Sequence, residues 1–256
     1  MTGMRPKISA FVITCNNGSV IAECLSSLAW ADEIVVVDDR STDATQEICR
    51  RHGARLFQRE FKGFRDQKAH AMSLAAHDWV LELDSDERVS EAMREGILAL
   101  EEGDFSRYAG FEFPRLSRFW GKWIRHGSFY PDRKVRLYDR RRGTWSEGNV
   151  HERFIPDGAV SRLPGDILHV QDLDLHEYIR RTARYARLSA EEYRSRGRTA
   201  RWYHFTLRPV YTFLYRYLVR LGFLDGVEGF VISAVGAFGT FLKYLTLYEL
   251  NRDGKR

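Results

Sequence analysis

The chain has 256 residues, a formal net charge of +5 and 44% hydrophobic residues, enough to bury one large core plus a helical appendage. Its three cysteines, Cys15, Cys24 and Cys49, form no C-x-x-C pair and are odd in number, so free thiols in a reducing compartment are the simplest account. Internal repeats and low-complexity segments are absent, and MTGMRPKIS carries no apolar run, so no secretory signal is expected.

The first part of the chain alternates strand and helix patterns. Ile8–Ile13 is a continuous apolar run, as a strand buried on both faces requires. Gly18 and Ser19 open a helix whose apolar face is Val20, Ile21, Cys24, Leu25 and Leu28. Ile34–Val37 is a second strand of Val and Ile, running into Asp38 and Asp39. Ser41, Thr42 and Asp43 offer N-cap side chains, with Gln46 three residues past Asp43, and that helix ends near Gly53. Ala54–Gln58 reads as a short strand, Arg65–Ala76 as a helix and Trp79–Leu83 as a fourth strand. Such alternation with short links predicts an α/β fold with a mostly parallel, doubly wound sheet flanked by helices. Neither G-x-G-x-x-G nor G-K-[ST] occurs, so dinucleotide and P-loop readings lack their fingerprints.

Two strand ends carry carboxylate pairs, Asp38/Asp39 and Asp84/Asp86. In a parallel sheet both pairs face one edge, where open α/β sheets hold ligands. Hard oxygen donors there suit Mg²⁺ or Mn²⁺ carrying a diphosphate. The plainer alternative is a set of helix caps and solvated turns.

The runs ISAFVITCNNGSVIAECLSSL, ADEIVVVDDRSTDAT and KGFRDQKAHAMSLAAHDWVLELDSDERVS resemble the first half of family-2 inverting glycosyltransferases, closely over residues 7–100. HGSFYPDRKVRLYDRRRGTWSEGNVHERF and GFLDGVEGFVISAVGAFGTFLKYLTLYEL resemble the lipopolysaccharide-core glucosyltransferase branch of that family. The resemblance implies a GT-A-like, Rossmann-like catalytic domain over residues 1–174. It implies a donor that is a nucleotide sugar, such as a UDP-hexose. Thr14 and Asn16 would lie beside the nucleotide, Asp38 or Asp39 would accept hydrogen bonds from uracil or ribose, and Lys68 would sit near the diphosphate. Asp84 would contact ribose or metal-bound water, and Asp86 would ligate the metal directly. The chain departs from the family pattern at Asn17, where an acidic residue is usual. Arg40 stands in place of the common Gly, and Cys15 where many members stack an aromatic on the base.

Inverting transfer needs a general base opposite the leaving diphosphate. Glu152, in the stretch Asn149 to Glu152, is the first candidate, and Asp132 after Pro131 the second; the alternative for both is ion pairing within basic loops. His169 is a candidate metal ligand, His151 could take that place instead, and a structural hydrogen bond is the alternative for His169.

Composition changes after Asp174. Between His176 and Arg220 there are 11 Arg, 3 Glu and neither Lys nor Asp, with Tyr, Trp and Phe interleaved. Gly229 to Leu242 follows without a charge, a stretch too short by itself to span a bilayer. Residues 175–256 are therefore expected to form a helical region touching an anionic membrane surface, with arginines on lipid phosphates and aromatics at the headgroup boundary. Nucleic acid is the competing partner for such a surface, and the carboxylate-lined crevice argues against it as substrate. A purely helical packing subdomain is the other alternative. The expected protein is a metal-dependent sugar transferase, peripheral at the cytoplasmic face of the membrane, acting on a lipid-linked saccharide such as a lipopolysaccharide inner core. Sugar transfer to polyprenyl phosphate, or a catalytically silent membrane-binding module, remain open.

Overall fold

The computed structural model describes residues 5–146, 152–170 and 174–253. Two compact units emerge. The first comprises residues 1–115 and 132–170, the second residues 116–131 and 171–256. A single boundary after Asp174 was expected; the second unit also takes in the excursion 116–131.

In the first unit the strands are β1 (Ile8–Thr14), β2 (Glu33–Asp38), β3 (Arg55–Gln58) and β4 (Trp79–Asp84), separated by α1 (Ile21–Ser27), α2 (Thr45–Arg51) and α3 (Phe64–Ser73). β1 pairs in parallel with β2 and β4, and β2 with β3. The chain continues through β5 (Glu87–Val89), α4 (Glu91–Leu98), α5 (Glu102–Arg107) and β6 (Gly110–Phe119). After the excursion, which holds β7 (Lys122–Trp123), come β8 (Asp132–Asp139), β9 (Gly143–Trp145), β10 (Phe154–Pro156), β11 (Val160–Arg162) and β12 (Ile167–His169). The sheet order is β3-β2-β1-β4-β8-β6-β12-β5. Beyond β4 the pairing turns antiparallel, with β8 beside β4 and β6 beside β8. The sheet is thus parallel over the alternating part of the sequence and mixed over the rest.

Alternation along β1 and β4 divides the core. Ile8, Ala10, Val12, Trp79, Leu81 and Leu83 pack with α1 residues such as Leu25 and Leu28. Phe11 and Val80 face the other way, with Ala71 of α3, Tyr138 and Trp145. On that second face the next β4 positions after Val80 are Glu82 and Asp84, so apolar packing passes into charge toward the carboxyl edge.

The caps differ in detail from the expected ones. Asp43 does not cap through the third helical residue; it accepts from Thr45 N at 3.0 Å, Thr45 Oγ1 at 2.5 Å and Gly18 N at 2.9 Å, tying the β1 and β2 loops together. Gln46 reaches back to the Ser41 carbonyl at 3.1 Å. Cys15 is exposed, Cys24 and Cys49 are buried, and all three are free thiols.

The second unit is helical: α6 (Leu175–Ser195), α7 (Trp202–Leu214), a π-helical turn Tyr215–Val219, a 3-10 turn Gly222–Asp225 and α8 (Gly226–Asp253). Ala190 and Ala200 pack against Tyr244 and Leu247 of α8. Phe205 and Phe213 of α7 meet Tyr248 and Phe230 edge-on at 5.3 and 5.6 Å between ring centroids. At Gly239 a Cβ would stand 2.7 Å from Thr182 Cγ2, so glycine allows α6 and α8 to touch. By itself the charge-free stretch 229–242 is too short to span a bilayer. It proves to be the middle of one continuous helix, and Gly222–Arg252 is long and apolar enough to cross a membrane by length and composition.

Candidate active site

Register brings the acidic strand ends together. Thr14 of β1 lies opposite Asp38 of β2, and Ile13 lies opposite Asp84 of β4. Both carboxylate pairs therefore stand at one carboxyl edge, as a parallel sheet demands. β8 runs antiparallel to β4, so its first residue, Asp132, comes to the same edge. β12 pairs antiparallel with β5, setting His169 opposite Glu87 and beside Asp86.

The four candidates on the first two loops do different things. Asp38 is fully buried, and Ser41 donates to it twice, from N at 2.9 Å and from Oγ. Asp39 is partly exposed and accepts from Phe61 N at 3.1 Å. Asn16 turns its Oδ1 to Thr42 N at 2.9 Å, with its own backbone left-handed at φ 51°. Thr14 is buried, and its Oγ1 accepts from Asn17 Nδ2 at 3.3 Å. Arg40 adopts φ 49°, so the loop keeps a left-handed residue where the family commonly has glycine. For a non-glycine residue that conformation costs roughly 1–2 kcal/mol.

Behind the D-x-D strand lies a buried charge cluster. Lys68 Nζ is 2.9 Å from Glu82 Oε1, 2.9 Å from Asp84 Oδ1 and 3.5 Å from Glu152 Oε1. Arg136 reaches Glu82 Oε1 at 2.5 Å, Asp84 Oδ2 at 3.0 Å and both Glu87 oxygens at 2.8 and 2.7 Å. Tyr138 donates to Glu82 at 3.1 Å. Burial opposes the charge on Lys68, Arg136, Asp84 and Glu87, and for the first three the pairing outweighs it. Lys68 and Arg136 are held above their ordinary pKa ranges by the carboxylates around them. Asp84 is held well below the carboxylate range by Lys68 and Arg136. Glu87 goes the other way, pushed up by burial and by neighbouring Asp84. Arg136 and the more distant Arg115, at 3.7 Å, partly offset that rise.

The two candidate bases are placed differently. Asp132 is gripped by Arg115 at 2.8 Å and Lys134 at 3.1 Å. Glu152 meets Lys68 at 3.5 Å and is 16% exposed. Its neighbours Asn149 and His151 lie outside the described residues.

Asp86 Oδ2 and His169 Nε2 face each other at 3.3 Å. Among the described residues no group of three or more His, Cys, Asp or Glu side chains is arranged to hold a metal. Asp84 has both oxygens on cations, which leaves one carboxylate and one imidazole. That donor set fits an ion that keeps several waters and takes its remaining ligands from substrate phosphates. A cavity of about 350 Å³ lined by Lys7, His77, Asp78 and Arg141 opens instead near the amino ends of β1 and β4.

Sequence reasoning missed Glu82, Glu87, Arg115 and Arg136. The signal was present in part. Glu82 sits between Leu81 and Leu83 in a strand read as buried, and a buried charge demands a partner. Nothing local to Arg136 announced that it is the partner.

The sheet, its carboxylate edge and its helical flanks form a GT-A-like α/β fold. A family model described as glycosyl transferase family 2 matches residues 9–156, and the chain belongs to that family of glycosyltransferases. It is similar to the lipopolysaccharide core biosynthesis glycosyltransferase LpsC of Rhizobium meliloti, at 28% identity over 96% of this chain and 94% of that protein. The Rickettsia typhi glycosyltransferase RT0209 is likewise 28% identical, over 96% of this chain and 88% of its own. Among solved structures, S. aureus TarS in complex with UDP-GlcNAc is similar at TM-score 0.48 and 18% identity, covering 97% of this chain and 92% of that one.

Proposed function

We propose that this glycosyltransferase moves a hexose from a UDP-sugar to a lipid-linked saccharide at the cytoplasmic face of a membrane, with inversion and with a divalent metal. The observation that carries the reading is the common edge of β1, β2 and β4, with Asp39, Asp84 and Asp86 on it and His169 against Asp86. Asp39 is the better partner for uracil or ribose, because both oxygens of Asp38 are taken by Ser41. Lys68 supports the diphosphate only through the field it shares with Asp84, since its ammonium is buried on carboxylates.

Asp86 and His169 would hold Mg²⁺ or Mn²⁺, which when bound neutralises the departing diphosphate. Asp84, gripped by Lys68 and Arg136, orients the turn that carries Asp86. Glu152 takes the proton of the acceptor hydroxyl as that oxygen attacks the anomeric carbon. It is preferred to Asp132 on geometry: Asp132 is tied to Arg115 at 2.8 Å and Lys134 at 3.1 Å, whereas Glu152 meets Lys68 at 3.5 Å. The name of LpsC, together with the arginine- and aromatic-rich second unit, supports a membrane glycolipid such as a lipopolysaccharide inner core as acceptor.

A second reading is favoured by the 3.5 Å contact of Glu152 with Lys68. An ion-paired carboxylate suits transfer to polyprenyl phosphate, an acceptor already ionised. Wild-type turnover in Glu152→Gln would select it. The primary test is thermal stabilisation across a set of nucleotide sugars with and without Mn²⁺, where a binder raises stability with its saturation. UDP-hexoses are expected to stabilise in a Mn²⁺-dependent way; no stabilisation by any nucleotide sugar would sink the reading.

A further inference from the structure

The second unit turns apolar side chains outward in a regular pattern. On α7 and the turn after it, Leu207, Val210, Tyr211, Leu214 and Leu218 are between 45% and 67% exposed. Their spacing of three and four residues draws one stripe along a helix. Such a stripe normally faces a core, yet no residue of α7 is buried. The chain then passes Val219, Phe223, Leu224 and Val227, all exposed.

This turn is not loose. Asp225, 4% exposed, accepts from Arg125 N at 3.1 Å, His126 N at 2.8 Å and His126 Nδ1 at 3.0 Å. Lys122 donates to its carbonyl at 2.6 Å. Gly222 and Gly229 bring backbone against backbone, since a Cβ on Gly229 would stand 1.9 Å from the Gly222 carbonyl oxygen. Apolar groups are thus held out in water by a fixed scaffold.

We propose that Leu207 to Val227 is a monotopic docking element, lying flat in the headgroup boundary of an anionic bilayer, and that α8 does not cross that bilayer. The proposal rests on the membrane reading above and names the part that inserts. α8 buries Ile232, Val235, Tyr244 and Leu247 within its own unit, packed against α6 and α7. α6 carries exposed Arg180, Arg184, Arg187 and Arg194. Threading α8 through a membrane would draw those arginines into hydrocarbon, where a charge is costly. Lying flat leaves them among lipid phosphates. Arg201 and Arg220, both exposed, stand at the two ends of the stripe. With 11 Arg against 3 Glu between His176 and Arg220, an anionic surface complements this face better than a second copy of it.

The test uses the full chain with Cys15→Ser, because Cys24 and Cys49 are buried. Single cysteines at Leu207, Leu224, Arg187 or Phe238 carry an environment-sensitive fluorophore, and vesicles of phosphatidylglycerol with phosphatidylcholine carry brominated acyl chains. Labels at 207 and 224 are expected to shift to the blue and be quenched, and a label at 187, at the level of the phosphates, to escape quenching by the brominated chains. Leu218→Asp with Leu224→Asp is expected to lower vesicle partitioning at least about tenfold with unchanged thermal unfolding. A parent protein that ignores anionic vesicles at low salt defeats the membrane reading itself, and this inference with it. Vesicle binding with 224 in water and 238 quenched leaves that reading standing and overturns the inference in favour of α8. A dimer dissolved by the double variant, with vesicle binding intact, assigns the stripe to a second copy and also overturns it.

Discussion

The two units handle charge and apolar surface in opposite ways. In the first, Lys68, Glu82, Glu87 and Arg136 are buried along with the apolar residues of the sheet. In the second, arginines stand in water and so do Leu207, Val210, Leu218 and Val227. Burying a charge is tolerable only where partners surround it, so the first unit gains a fixed geometry at the sheet edge and loses tolerance to change. Apolar groups left in water forgo the stabilisation that burial would give, and in the second unit a fixed turn holds them there. One region holds its charges in place; the other, on the membrane reading proposed above, meets a phase boundary.

The sharpest tests strike the first unit. Asp86→Ala is expected to abolish transfer and remove the metal-dependent part of UDP binding, with the unfolding temperature retained. Equal metal-dependent UDP affinity in variant and parent, by calorimetry, would break the assignment. Arg136→Met should destabilise by about 3–5 kcal/mol, because Glu82, Asp84 and Glu87 lose the cation they share. Urea titration measures it, and a loss under 1 kcal/mol would mean that water or Lys68 replaces the guanidinium.

Smaller effects follow. Glu152→Gln should lower turnover at least about a hundredfold with donor affinity nearly unchanged. If Asp132→Asn does this and Glu152→Gln does not, the two carboxylates exchange roles. Arg40→Gly should stabilise by at most about 1 kcal/mol, relief of its left-handed backbone being partly offset by glycine's greater freedom when unfolded. A net loss would show that the Arg40–Glu60 pair at 3.5 Å matters more than the strain. At the low end, Leu224→Asp should move stability by no more than about 0.5 kcal/mol, the range of exposed sites. A loss of several kcal/mol would erase the contrast between the units, because the exposed turn would then be part of the fold's own packing.

Much of the sheet half was legible from local pattern. The apolar runs that become β1, β2 and β4 are strands buried on both faces, and the helices between them carry visible apolar spacing. The acidic strand ends could be placed on one edge from the parallel topology alone, and register bears that out for Thr14, Asp38 and Asp84. What those carboxylates do there was not legible. Asp38 and Asp39 are adjacent and chemically alike, yet one is buried on Ser41 and the other reaches a partly exposed loop. Lys68 looked like a diphosphate ligand and is enclosed by Glu82 and Asp84. Among the helices, the charge-free stretch 229–242 could be found in sequence, but the continuous helix around it could not.

By itself the sequence determined the alternating α/β core and the acidic edge, because periodicity and strand-end composition act over a few neighbouring residues, while the family was legible only through the resemblance of its motifs. Only the tertiary structure decided which charges neutralise which. Arg136 meets Glu82 across 54 residues, Lys68 bridges α3 to β4 and Glu152, and His169 reaches Asp86 through the pairing of two three-residue strands. It alone decided that α7 turns its apolar stripe outward, since helical spacing marks a face without saying what lies against it. Electrostatic pairing and burial depend on distance in space, and distance in space is what the order of residues does not contain.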